Sequence, residues 1–265
     1  MTFPEAPRIL YTPNPLEKVV CQLRFPPILR IDSQAPADFQ DSIRGRYPNL
    51  SEKAEWNIDL PANIDAEIPS ELIRQVVQSS ANRNYEFSTE DNNWTVNLTR
   101  TFLALTTQNY SRWEEFRQRL AELVEVLTEV YAPDHYSRLG LRYIDVFRRS
   151  ALGLDGVSWN ELLNPQLLGL LAVDQLTDQI IAFENKYEIA LDDGQSKVRL
   201  ISKFVRAKDS GEISFLLDSD FHMNSRVALD QAFDVLDYYH VVSSRMIQWA
   251  VMERLHEAMN PEVIE

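Results

Sequence analysis

Residues 136–149 read Tyr136-Ser137-Arg138-Leu139-Gly140-Leu141-Arg142-Tyr143-Ile144-Asp145-Val146-Phe147-Arg148-Arg149. In an extended chain Leu139, Leu141, Tyr143, Asp145 and Phe147 share one side, and Arg138, Arg142, Ile144, Val146 and Arg148 share the other. A period of two predicts a strand. It lies between two stretches of helical period. Upstream, Trp113, Phe116, Leu120, Leu123, Leu127 and Val130 recur at helical spacing opposite Glu115, Arg119, Glu122, Glu125 and Glu129. They predict an amphipathic helix from about Arg112 to Tyr131, ended by Pro133, with Ser111 and Glu114 spaced as a capping box. Downstream, Leu229, Phe233, Leu236, Tyr239, Met246, Trp249, Met252 and Leu255 predict a final helix from about Val227 to Met259. Such a helix is about 50 Å long at 1.5 Å per residue, more than a small sheet can cover. Either part of it contacts another subunit, or a kink near Ser243-Ser244 divides it.

Further out the pattern is that of an antiparallel sheet. Pro4, Pro7, Pro13 and Pro15 make the first residues an extended arm, and Leu16–Phe25 alternates as the first regular element, stopped by Pro26-Pro27. A short helix is expected over Ala37–Arg46. The stretch 47–83 is the least readable, with a short strand suggested at Trp56-Asn57-Ile58-Asp59-Leu60. Tyr85-Glu86-Phe87, the Asp91-Asn92-Asn93 turn, Trp94–Leu98 and Thr101–Thr107 read as a meander. Trp159–Leu163 can form a short helix capped by Ser158. Ile180–Ala190, the Asp192-Asp193-Gly194 turn, Lys197–Arg206 and Gly211–Phe221 read as three further strands.

The fold class expected is α+β: two pseudo-repeated halves, 1–132 and 133–265, whose mostly antiparallel sheet is covered by two long amphipathic helices. Strand, short helix, three strands and long helix occur in each half, so internal duplication is suggested by element order alone. The halves form either one continuous domain or two packed around a cleft.

With 26 Lys and Arg against 40 Asp and Glu, the formal charge of -14 opposes nucleic acid unless a local basic patch overcomes it. The basic strand near Lys197 and Arg206 is the one place to look for such a patch. The single cysteine, Cys21, lies in an apolar strand and reads as a small buried hydrophobe. No apolar run is long enough to span a membrane and no leader pattern opens the chain, so a cytoplasmic protein is expected.

Catalytic signatures are absent. His135, His222, His240 and His256 have no metal-ligand spacing, and Glu253 with His256 is only half of a carboxylate-bridged motif. Only 7 glycines are present, and none makes a phosphate-cradling loop. No catalytic residue, cofactor or metal is assigned. The suggestive group is Arg138, Arg142 and Asp145, a candidate anion site if the arginines are not engaged by the chain's own acids. Asp145 interrupts an apolar face. Three readings stand: an internal ion pair with an arginine, a perturbed functional carboxylate, or simple exposure.

Two segments, Pro15–Phe25 and Arg138–Asp145, resemble an uncharacterised, sporadically distributed prokaryotic family of roughly 250-residue proteins. The resemblance implies no catalytic residue; its patchy distribution is like that of defence-associated genes. Together these readings favour a non-enzymatic protein-recognition or regulatory component with a protein partner or as a homo-oligomer. Leu236, Tyr239, Trp249 and Met252 are its candidate anchors. The alternatives are an enzyme or sensor acting on an anionic small molecule in a cleft between the halves, and a nucleic-acid-binding protein.

Overall fold

The computed structural model describes residues 2–53, 64–65, 83–177, 179–208 and 210–264. Its strands are β1 (Ile9–Tyr11), β2 (Leu16–Arg24), β3 (Asn49–Lys53), β4 (Ile64–Asp65), β5 (Asn84–Ser88), β6 (Trp94–Thr99), β7 (Phe102–Thr107), β8 (Arg138–Phe147), β9 (Glu184–Ala190), β10 (Lys197–Ala207), β11 (Ile213–Met223) and β12 (Pro261–Val263). Ten of them form one sheet in the order β3-β5-β6-β7-β2-β8-β11-β10-β4, with β9 also paired to β10. Every pairing is antiparallel. The sheet passes unbroken across residues 132 and 133 because β2 pairs with β8, with Cys21 opposite Leu141 and Val19 opposite Tyr143.

The alternation of β8 is realised on both faces. Leu139, Leu141, Tyr143 and Phe147 join the main apolar core, together with Val19, Cys21 and Leu23 of β2 and Phe215, Leu217 and Phe221 of β11. Ile144 and Val146 face the other way and form a small second cluster with Val205 and Leu216. Cys21 is fully buried, and burial pushes its thiol well above the usual range, so it acts as a packing residue.

The helices are α1 (Arg30–Ser33), α2 (Ala37–Ile43), α3 (Trp113–Tyr131), α4 (Trp159–Leu162), α5 (Pro165–Leu168), α6 (Asp174–Thr177), α7 (Ala232–Ala250) and α8 (Glu253–Ala258). Helix α3 buries Trp113, Phe116, Leu120, Leu123 and Leu127, and α7 buries Leu236, Tyr239, Val242 and Met246, all in the main core. The capping box does not form. Ser111 Oγ donates to Glu115 instead, and Glu114 is taken by Arg8 on the N-terminal arm.

The final helix departs from expectation in length and in the place where it breaks. It runs through Ser243-Ser244 and stops at Ala250, and α8 starts at Glu253. Between them Val251 bridges Leu163, the Met252 amide donates to the Leu162 carbonyl, and the Asn164 amide donates to the Ala250 carbonyl. Backbone groups from a loop distant in sequence thus compete with the i to i−4 bonds that would continue the helix. The 50 Å overhang, and the second subunit invoked to cover it, lose their basis.

The proline-rich arm is extended but not free of regular structure, since β1 pairs with β12 at the other end of the chain. The turns follow their residues: Asn92 and Gly194 take positive φ, and Asp91 and Asp193 accept backbone amides of their own loops. Opposite charges on β9 and β10 meet across the pair, with Glu188 opposite Arg199, and Lys197 Nζ 3.1 Å from Glu188. The strand suggested at Trp56–Leu60 lies outside the described residues. Among the described residues no helix is long and apolar enough to cross a membrane.

Helix α3 ends on Ala132 in the left-handed conformation, φ 45°. An L side chain there costs about 1 kcal/mol. Ala132→Gly is therefore expected to raise unfolding stability by roughly 0.5–1 kcal/mol despite the added chain entropy, which urea denaturation with an unchanged m-value would check.

Candidate functional site

The sheet separates the residues that the sequence grouped. Arg138 and Arg142 lie on the face away from the main core, whereas Asp145 lies on the core face with Tyr143. Arg142 makes a bidentate pair with Asp218, Nε to Oδ1 at 2.7 Å and Nη2 to Oδ2 at 2.6 Å. Arg138 donates to Gln22 at 3.0 Å and to Asp220 at 3.1 Å. It reaches both by folding back over Gly140, where a Cβ would collide with its guanidinium. Arg148 pairs with Glu17, and Arg149 lies 4.6 Å from the Trp159 ring centre. The arginines of β8 are thus engaged by the chain's own groups, and Asp145 is not their partner.

The proposed anchors separate too. Leu236 and Tyr239 are fully buried on the inner side of α7, where they pack into the core, and they cannot anchor a partner. Trp249 is half-buried against Phe3, ring centres 5.5 Å apart. Of the four, only Met252 is exposed, at 39%.

Around Asp145 the structure gathers a set of residues that no local pattern links. A cavity of about 100 Å³ lies between the core face of the sheet, α7, the start of α3 and the arm that carries β1. Strand β8 contributes Tyr143 and Asp145, β11 contributes Ser219, and α7 contributes His240 and Ser243; Tyr110 precedes α3, and Tyr11 of β1 closes the side towards the arm. An irregularity in β2 positions this wall. Leu16 pairs with Asp145 but Lys18 pairs with Ile144, so Glu17 is looped out towards Arg148 and an apolar side chain flanks the carboxyl. Small residues at 219 and 243 leave the space open.

Asp145 is 6% exposed and forms no side-chain hydrogen bond or ion pair among the described residues. Burial, followed by the negative charge of Asp218, pushes its carboxyl from the ordinary 3.8 up to about 7. Burial and the Asp145 charge likewise push Tyr11 up to about 12, and burial holds Tyr143 well above its usual value. His240 goes the other way, down to about 4, through burial and the nearby Arg8 charge. Its ring is therefore neutral near pH 7. It stacks on Trp113 at 5.0 Å, with Nδ1 3.2 Å from the Tyr143 hydroxyl, and buried Nε2 has no partner among the described residues. Ser219 Oγ, also buried, has none either. Arg8 is neutralised at the rim by Glu114, 2.6 Å away, and this bond holds the Glu114 carboxyl down to about 2.

Chemically, the cavity offers a titratable carboxyl, the Ser219 hydroxyl without a partner among the described residues, a neutral imidazole and aromatic walls. Among the described residues no cluster of three or more His, Cys, Asp or Glu is arranged to hold a metal. Of these residues the sequence signalled Asp145 alone, as a break in an apolar face. Ser219, Tyr110, Tyr11 and His240 are ordinary on their own elements.

The two shifted groups bias stability in opposite directions. A folded carboxyl with a raised value binds more protons than the unfolded chain between about 4 and 7, so Asp145 costs stability as pH rises through that window. Its cost is roughly 2–4 kcal/mol at pH 8. His240, with a depressed value, costs stability as pH falls from 6.5 towards 4. Asp145→Asn is expected to raise the melting temperature at pH 8 and leave it nearly unchanged at pH 4. The variant should also become more acid-sensitive than the native chain between pH 6.5 and 4. Calorimetric melting across that range would show it.

No protein-family model matches this sequence, and no curated protein is significantly similar to it, so the reading of the site rests on its own geometry.

Proposed function

We propose that the protein is a sensor or regulatory component that binds a small polar molecule in the Asp145 cavity. The observation that carries this reading is a carboxyl, 6% exposed and without a partner among the described residues, on the wall of a cavity also lined by Ser219, whose Oγ lacks a partner too. Leaving such groups dry costs free energy that a simply structural core would avoid. Unpartnered polar groups converging on one pocket are the ordinary form of a ligand site. The cavity also lies between the halves: Tyr110 and Trp113 come from residues 1–132, and Tyr143, Asp145, Ser219 and His240 from residues 133–265.

Two related inferences go with it. The sheet order β5-β6-β7-β2 followed by β8-β11-β10-β9 reads the same from either side of the β2–β8 seam, which supports internal duplication. The seam strands are also the two segments that resemble the prokaryotic family. Recognition of a protein partner is the second reading, supported by Leu170, Val173, Leu176 and Ile181, exposed apolar residues in one stretch of chain.

Thermal melting in the presence of fractionated small molecules from a cell extract tests the first reading. A fraction at about 100 times its dissociation constant is expected to stabilise the chain by about 2.7 kcal/mol, a shift of roughly 5–10 °C at this size. Ser219→Val, which narrows the cavity without charge, should melt near the native temperature and lose the shift. If no fraction shifts the native chain, or if Ser219→Val and Asp145→Asn both keep the shift, the cavity is not the binding site.

A further inference from the structure

Resting on the cavity reading above, we infer that the group recognised beside Asp145 is the protonated primary amine of a small molecule. An alkylammonium brings one positive charge and three N–H donors and accepts no hydrogen bond. The wall presents the matching set. Asp145 supplies a carboxylate that no cation pairs with among the described residues: Arg138 and Arg142 are on the other face, Arg8 at the rim is held by Glu114, and Arg112, the other lining arginine, is exposed and forms no ion pair with it. Ser219 Oγ is an acceptor without a partner. Ser243 also lines the cavity, its Oγ donating to the His240 carbonyl at 2.8 Å and lying within hydrogen-bond reach of Tyr143.

The remaining walls suit a cation as well. Tyr110 and Tyr143 meet edge to face, ring centres 6.3 Å apart, and tyrosine rings attract ammonium groups. His240 is neutral near pH 7 and adds no opposing charge. An anionic ligand would meet the buried Asp145 carboxylate, and the one lining cation outside any ion pair among the described residues is Arg112, exposed at the start of α3. A neutral ligand could use the hydroxyls but would leave the carboxylate charge uncompensated. Size narrows the class further. About 100 Å³ stands against about 30 Å³ for one liquid water, which admits an amine of about three or four heavy atoms, or the end of a longer one that leaves past the arm.

Proton competition gives the site a signature. The titratable and charged groups around Asp145 are Tyr143 on its own strand, Asp218 on β11, Tyr11 on β1 with His256 of α8 behind it, Tyr110 before α3, and His240 on α7, with the Arg8–Glu114 pair and Arg112 at the rim. Asp145 has its titration near the middle of the pH 6–8 range, at about 7. Amine binding needs the carboxylate, so affinity falls on acidification, towards a tenfold loss per pH unit below that value.

Titration calorimetry of the intact chain with n-propylammonium chloride, 1-propanol and sodium propionate at pH 8 and pH 6 tests the inference. The amine alone is expected to bind at pH 8, with a millimolar dissociation constant suited to so few atoms. Binding should weaken by about tenfold at pH 6, and by at least about tenfold in Asp145→Asn. Ser219→Ala, a milder change, should weaken it severalfold. Equal binding of propanol, preference for propionate, unchanged amine affinity in Asp145→Asn, or no binding by any probe would overturn the amine assignment. The cavity reading survives those results as long as an extract fraction still shifts the native melting temperature and not that of Ser219→Val. Ordered water alone in a crystal soaked with the amine would overturn the assignment as well.

Discussion

The antiparallel pairing of β2 with β8 is the interaction on which the rest of the structure depends. It is the only strand pairing in the described residues between 2–132 and 133–264 within the sheet apart from the short β4–β10 contact. Because β2 and β8 are central, β8 is enclosed on both faces, by the main core on one side and by the smaller Ile144–Val146 cluster on the other. A strand in that position can carry polar side chains only where each has its own solution. Arg138 and Arg142 are matched by acids of β11 and by Gln22 of β2. Asp145 has no such match among the described residues, and this asymmetry along one strand sets it apart.

The neighbours of Asp145 are held from several directions. The N-terminal arm is fastened by β1 against β12, by Arg8 to Glu114, by Gln248 donating to the Pro7 carbonyl, and by Phe3 against Trp249. Tyr11 contributes twice, lining the cavity while its hydroxyl meets His256 Nδ1 at 3.0 Å. On the opposite side, Trp113 donates to Asp237 at 2.7 Å and stacks on His240, which fixes the ring that reaches Tyr143. Both chain ends and both long helices therefore converge on one small volume.

The carboxyl and imidazole of this volume are both biased towards their neutral forms by the same cause, removal from water, and so they respond to pH in opposite directions. Neither has its charge compensated by a close ion pair. The protein thereby keeps a group poised to ionise within the fold, at a cost in stability that the large apolar core around it can absorb.

The amino-acid sequence by itself determined the alternation of β8, the meander of β5 to β7, the turns at Asn92 and Gly194, and the apolar flank of α3, because each depends on side chains within one or two turns of chain. It also flagged Asp145 as out of place on an apolar face. Tertiary structure alone decided three things. The last helix breaks at Val251 because the distant Leu162–Asn164 backbone supplies competing hydrogen bonds. The arginines of β8 pair with Asp218 and Asp220 because β11 folds in beside that strand. Asp145 meets Tyr110, Ser219 and His240 because four elements far apart in sequence close around it. Local periodicity records which way a side chain points, but what it meets there is set by sheet order and helix packing, which no short stretch of chain encodes.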